Sequence, residues 1–182
     1  MLFAKKCRRA YKSLRLGRFG KDERGVTVVE FGLLALPFFA IIGAILETGL
    51  VLLASQVFDS AVHDASRVVR TGEAQNKGYN MPEFRAKICE HTFGLFDCNK
   101  IKIRVRTIKS FSNASTSSPV DKDGKWIISA SFKPGQRNEV VLVEAYYKWP
   151  TILNIMGFQF GNLDGNSAML MSASRVFMNE PF

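Results

Sequence analysis

Arg24-Gly25-Val26-Thr27-Val28-Val29-Glu30-Phe31 is the stretch on which the reading of this 182-residue chain turns. Upstream of it, residues 1–25 hold Lys5, Lys6, Arg8, Arg9, Lys12, Arg15, Arg18, Lys21 and Arg24 against only Asp22 and Glu23, which is +7 of the formal +9 of the whole chain. Downstream, Phe31 to Ala54 is a run of 24 residues whose one charge is Glu47. At about 1.5 Å per residue a helix over that run is roughly 36 Å long, enough to cross a hydrocarbon layer of about 30 Å with some tilt. The sequence therefore predicts one transmembrane helix, with a lone carboxylate, Glu30, at its mouth.

The charge asymmetry sets the expected direction, because Lys and Arg beside a short N-terminal segment stay on the cytoplasmic side. A basic leader also fits a nucleic-acid arm. This one lies against a span and, after Phe3 at its start, interleaves only Tyr11 and Phe19 among its basic residues, so nucleic acid is not expected as a partner. A cleaved secretory signal has an apolar region of about 7 to 15 residues ending in small residues, and Leu52-Leu53-Ala54-Ser55-Gln56 offers no such site. A plain signal anchor accounts for the leader and the span but gives no reason for Gly25 or Glu30.

A basic leader, Gly, four residues, Glu and then an aromatic residue, all opening an apolar helix, resembles the type IV prepilin processing site. Such sites are cut after the Gly by an inner-membrane aspartic prepilin peptidase. Mapped onto this chain, Gly25 is the last leader residue, Val26 the new N-terminus and Glu30, followed by Phe31, the fifth mature residue. Arg24-Gly25-Val26 and Val29-Glu30-Phe31, followed by Leu, Ala and Pro37, resemble TadE-like proteins, the pseudopilins of tight-adherence (Tad) pilus systems. Ala65-Ser66-Arg67, Arg70-Thr71-Gly72, Cys89 with Cys98, and Asn179-Glu180-Pro181-Phe182 extend the resemblance. It implies a minor pilin or pseudopilin in the inner membrane whose partners are the prepilin peptidase, sibling pseudopilins and the Tad assembly platform. It also implies a homo- or hetero-oligomer and either a place in the filament or one in the platform. The alternative is an unprocessed, signal-anchored envelope protein with a periplasmic binding domain.

The chemistry of the junction can be argued from the residues. A cut after Gly25 frees an α-amine on Val26, whose reference pKa of about 7.7 to 8.0 leaves it largely protonated at neutral pH. Glu30 lies four residues along the same helix, so its carboxylate reaches that amine or the amine of a neighbouring subunit. An acid left alone in the bilayer costs about 2.5 to 3.5 kcal/mol on insertion scales, and pairing offsets much of it. The other reading leaves Glu30 at the interface, solvated by headgroups. Glu47 is expected near the far boundary, within reach of the other interface. Pro37 is expected to kink the span, and Ala40, Gly43 and Ala44 form a small-residue patch that suits either close helix packing or no particular purpose.

Beyond the bilayer the helix is expected to continue. Ala54, Phe58, Ala61, Ala65 and Val68, with Val57, Val62 and Val69, form an apolar stripe at helical spacing, and Gln56, Asp59, Ser60, His63, Asp64 and Arg67 take the other side. Arg67 and Arg70 suit the last turn, and Gly72 suits a left-handed C-cap. One helix from about Val26 to Thr71 is then roughly 69 Å long. Asn80-Met81-Pro82-Glu83 reads as a capping box opening a second helix that runs to about Thr92. Strands are expected at Ile101 to Arg106, Trp126 to Phe132, Glu139 to Trp149 and about Ser167 to Met178, the last after a turn at Asp164-Gly165. The fold class is α+β and pilin-like, with a long N-terminal transmembrane helix continuing as an amphipathic helix packed on a small antiparallel sheet. The parts are a leader over 1–25, the helix over 26–72 and an exported α+β domain over 73–182.

Cysteine placement follows compartment. Cys7 lies in the leader, whereas Cys89 and Cys98 share the exported part and are expected to bridge, against free or metal-bound thiols. A metal site is not expected, since His91 is the only nearby histidine and the spacing matches no common zinc pattern; no cofactor is expected either. Lys102, Arg104 and Arg106 form a basic strand face expected to be solvated, a bound polyanion being the sharper reading. The apolar segment Trp149 to Phe158 is either a core-closing loop or an exposed contact patch. Enzymatic activity is not expected. The chain has no G-x-S-x-G, H-E-x-x-H, phosphate-binding glycine loop or C-x-x-C motif, and Glu90, Asp97 and Glu144 are scattered acids with no spacing that argues for chemistry.

Overall fold

The longest element is a 45-residue helix, α1, Val26–Arg70. The structure, a computed structural model, describes residues 25–151, 163 and 168–182. The basic leader with Cys7, most of the 149–158 segment and the turn at Asp164-Gly165 lie outside the described residues. The chain divides into two compact units, the first ending at Ile42 and the second comprising Gly43–Phe182. That boundary falls inside α1, whereas the sequence partition cuts at the end of the helix.

In the first unit α1 is apolar on every side and exposed, with Val28, Val29, Phe31, Leu33, Leu34, Leu36, Phe38, Phe39 and Ile41 all open. In the second unit the same helix buries most of the expected stripe, Ala54, Phe58, Ala61, Val62, Ala65 and Val69, leaves Val57 and Val68 partly buried, and extends it back to Val51. The switch follows the sequence: between Phe31 and Ala54 the polar residues are Glu47, in the buried stripe, and Thr48, whereas from Ser55 onward polar residues recur along the side opposite the stripe. Pro37 is accommodated inside α1 without ending it. Helix α1 stops at Arg70, and Gly72 follows at φ 78, the left-handed conformation that glycine adopts without penalty.

A four-residue helix, α2 (Glu73–Asn76), leads to α3 (Met81–Glu90). Asn80 accepts from the Glu83 N–H at 3.1 Å while the Glu83 carboxylate accepts from the Asn80 N–H at 2.7 Å, so the expected capping box is formed. Phe84 and Ile88 of α3 join the core cluster.

The sheet holds β1 (Lys102–Ile108), β2 (Ser131–Phe132), β3 (Val140–Pro150) and β4 (Ala168–Met178), in the order β2-β1-β3-β4. The strands β1, β3 and β4 are antiparallel, with Val105 opposite Val143 and Ala145 opposite Ala173. The fully antiparallel expectation is corrected at β2, which pairs parallel to β1 at Arg104↔Ser131 and Val105↔Phe132. A parallel pair needs a long crossover, and residues 109–130 provide one. The predicted strand over Trp126 to Phe132 shrinks to its last two residues, with Trp126 held instead in an isolated bridge to Val120.

Strand β3 explains the crossover's second task. Its inner residues Val141, Val143, Ala145 and Tyr147 share the core with α1 and α3, yet the alternate residues Leu142, Glu144 and Tyr146 are buried too. The 109–130 segment is tied to that second face: Arg106 donates to the Ser115 carbonyl at 2.7 Å, and the Lys148 ammonium sits 4.5 Å from the centre of the Trp126 ring. A strand covered on both sides reads as a continuous apolar run, which is what Val140 to Tyr147 is apart from Glu144.

Candidate membrane-insertion and processing site

Gly25 immediately precedes α1, and a Cβ added there would meet nothing within 4 Å. Packing among the described residues therefore gives no reason for glycine at this position. Val26, the first residue of α1, is 46% exposed, and Phe31 is 70% exposed. Glu30 is exposed as well, one helical turn beyond Val26. Among the described residues none of Gly25, Val26, Glu30 and Phe31 joins the folded core, so their residue types call for an explanation outside it.

The helix that carries them is long and apolar enough to cross a membrane. Its most apolar 18-residue window has a mean hydropathy of 2.3 and none of it is buried within the molecule. The core helix of a soluble domain has an equally apolar window only because its own fold covers it. Among the described residues nothing covers the apolar sleeve.

Glu47 departs from expectation. In place of an acid reaching the far interface, it is buried, 6% exposed, beside Val51 in the second unit. The periodicity explains why: Glu47, Val51, Ala54 and Phe58 follow one another at helical spacing, so Glu47 is the first residue of the stripe that faces the fold.

Cys89 and Cys98 are joined in a disulfide, Cα to Cα 6.0 Å, linking the end of α3 to the short turn before β1. His63 and Asp64, expected on the polar side of the helix, line a shallow recess of about 150 Å³ with Arg67 and Arg175. Arg175 donates to the Asp59 carboxylate and, at 3.4 Å, to His63 Nδ1, which fastens β4 to α1.

The basic face of β1 is corrected as well. Arg104 is directed into the structure, where its Nε and Nη2 donate to both oxygens of Glu144 at 2.7 and 2.8 Å. Tyr146 donates to the same carboxylate at 3.0 Å, and Arg106 lies 3.6 Å from it. The hydrogen bonds to Glu144 raise the Arg104 pKa above its ordinary value, and burial, followed by the Glu144 charge, pushes the Tyr146 phenol up to about 12. This group is a closed network under the 109–130 segment, complete except for Arg106 Nε, which is buried without a hydrogen bond, and it acts as a polar staple of the fold. The sequence concealed it, because the Arg and the Glu meet across β1 and β3 from 40 positions apart.

A membrane-length apolar helix near the N-terminus, running without a break into a small α+β unit, gives the chain the build of a single-pass membrane protein. Over residues 25–67 it matches the family model described as TadE-like protein. The matched residues hold the Gly25 junction, the apolar sleeve and most of the buried stripe of α1. No curated protein matches the chain. No solved structure matches it either.

Proposed function

We propose that the chain is a minor pilin or pseudopilin of a Tad-type adhesive pilus. A prepilin peptidase removes residues 1–25 by cutting between Gly25 and Val26, and the processed helix takes part in pilus assembly. The observation that carries this reading is the junction itself: a glycine with no steric purpose, then a helix whose first four turns expose a single charge, Glu30, among apolar side chains. Cleavage frees the Val26 amine one turn from Glu30, and the resulting ion pair, within or between subunits, offsets much of the penalty of the lone acid. The basic leader favours a cytoplasmic N-terminus in the inner membrane with the Gly43–Phe182 unit on the periplasmic side. A Cys89–Cys98 bridge suits that oxidising compartment.

Sequencing the N-terminus of membrane-extracted protein tests the proposal. A start at Val26 is expected; an intact Met1 in cells that contain the peptidase overturns it and leaves the unprocessed, signal-anchored protein. Replacing Glu30 with Ala is expected to impair assembly or processing, and normal behaviour in both removes the two roles given to that carboxylate.

A further inference from the structure

Strand β4 lies along α1, joined to it where Arg175 donates to Asp59 and His63 and again where the Glu180 N–H donates to the Arg70 carbonyl. From Arg175 back to Ala168 the strand covers about 23 Å at about 3.3 Å per residue. A helix covers that distance in about 15 residues, so Ala168 and its β3 partner Pro150 stand level with about residues 44 to 48 of α1. The burial of Glu47 and Val51 agrees with that level. On its other side this part of α1 is apolar and open, with Ile45, Leu46, Leu50 and Leu53 all more than half exposed, and it belongs to the uninterrupted apolar run that ends at Ala54. This end of the sheet, its foot, is therefore level with the last turns of the membrane run.

Both tryptophans of the chain are at this foot: Trp149 beside the end of β3, and Trp126, whose ring centre lies 4.5 Å from the Lys148 ammonium. Tryptophan collects at membrane interfaces because its ring is apolar and its N–H is not. The disulfide loop is there too, since the Phe96 ring packs 5.4 Å from that of Trp149 and 5.2 Å from that of Phe58. At the tip of that loop Phe93, at φ 52, and Gly94, at φ 74, are both left-handed, a conformation in which a bulky side chain is strained. Packing within the unit does not offset the strain, because Phe93 is 84% exposed and Leu95 45%. Thr92 and Phe96 on either side are buried, so the tip stands on a firm base.

We propose that the foot of the Gly43–Phe182 unit is seated in the membrane, with Phe93 and Leu95 inserted at the headgroup–acyl boundary beside α1 and the two tryptophans at headgroup level. The occupant is lipid, the same that the span places around Leu46, Leu50 and Leu53. Lys87 is matched by Glu90 at 3.0 Å and Lys100 by Asp97 at 3.1 Å, so the loop is drawn in by its apolar side chains and needs no anionic headgroup. The unit is then held to the bilayer at two points, helix and loop, which limits its rotation about α1. The seating rests on α1 as a membrane span and does not require cleavage at Gly25.

The test is photocrosslinking of the full-length protein in phosphatidylcholine bilayers, with p-benzoylphenylalanine placed singly at position 93, 50 or 111. Phe111 is the control: it is an aromatic residue 55% exposed, but it follows the end of β1 that pairs with Val140, at the opposite end of the sheet. Covalent adducts on lipid are expected from positions 93 and 50 and not from position 111. Adducts on lipid from 50 with none from 93 overturn the seating and leave the span standing; none from either overturns both. Equal labelling of lipid from 93 and 111 also defeats the proposal. The unsubstituted protein gives an independent reading, because both of its tryptophans lie at the foot. Phosphatidylcholine brominated on its acyl chains is expected to quench their emission, and emission unchanged from that in ordinary phosphatidylcholine rules the seating out.

Discussion

Glu144 has no exposed surface, and the outer face of β3 is organised around it. Its two oxygens are occupied by Arg104 and Tyr146, so removing the carboxylate leaves a half-buried guanidinium and a buried phenol without their partner. Glu144→Ala is expected to destabilise the fold by about 3 to 5 kcal/mol, read from denaturant unfolding of the full-length protein. Tyr146 makes a pH prediction. Its folded pKa of about 12 lies above the free phenol value of about 10, so its stabilisation is complete below pH about 10 and is lost as pH rises toward 12. Unfolding measured across that window is expected to show a loss of stability that Tyr146→Phe reduces. At this scale the sequence is least legible. The alternation of Lys102, Arg104 and Arg106 looks like a wet strand face because nothing local reveals that residues 109–130 return to cover it. Glu30 is the opposite case, visible in the sequence because its oddity is entirely local.

Elements with local signals were legible to within a residue or two. The capping box at Asn80, the apolar stripe of α1 and the stop at Gly72 are short-range features, and each element begins or ends where its signal stands. Asn80→Ala is expected to cost about 1 kcal/mol through the lost cap. Gly72→Ala is expected to do more than add the roughly 1 to 2 kcal/mol of a left-handed Cβ, because that atom would stand 2.1 Å from the Phe182 ring; a thermal melt reads both. The parallel β2 was not legible, since two paired residues carry no period and the direction of a strand depends on the path of its crossover. The disulfide loop is intermediate: compartment reasoning singled out Cys89 and Cys98, but the left-handed Phe93 between them has no signature in the sequence. Removing the bridge by Cys89→Ser with Cys98→Ser is expected to lower stability by roughly 2.5 to 3 kcal/mol in the chain-entropy account of a loop of this length.

For the molecule as a whole, one helix changes character along its length: exposed and apolar but for Thr27 and Glu30 up to Ile41, and buried along one side from Glu47 onward. The full chain is expected to stay with membranes through an alkaline carbonate wash, and its release into the wash would contradict the span. The fastening of β4 to α1 has a mechanical meaning. Asp59 and His63 meet Arg175, and the Glu180 N–H donates to the Arg70 carbonyl at 2.8 Å, so helix and strand advance side by side in the same direction. Strand β4 is paired with β3 along its full length, from Pro150↔Ala168 to Val140↔Met178, by hydrogen bonds that run across the strands. Tension entering along α1 therefore loads that ladder in shear, all rungs together, and a subunit hauled by its helix would resist being unzipped one bond at a time.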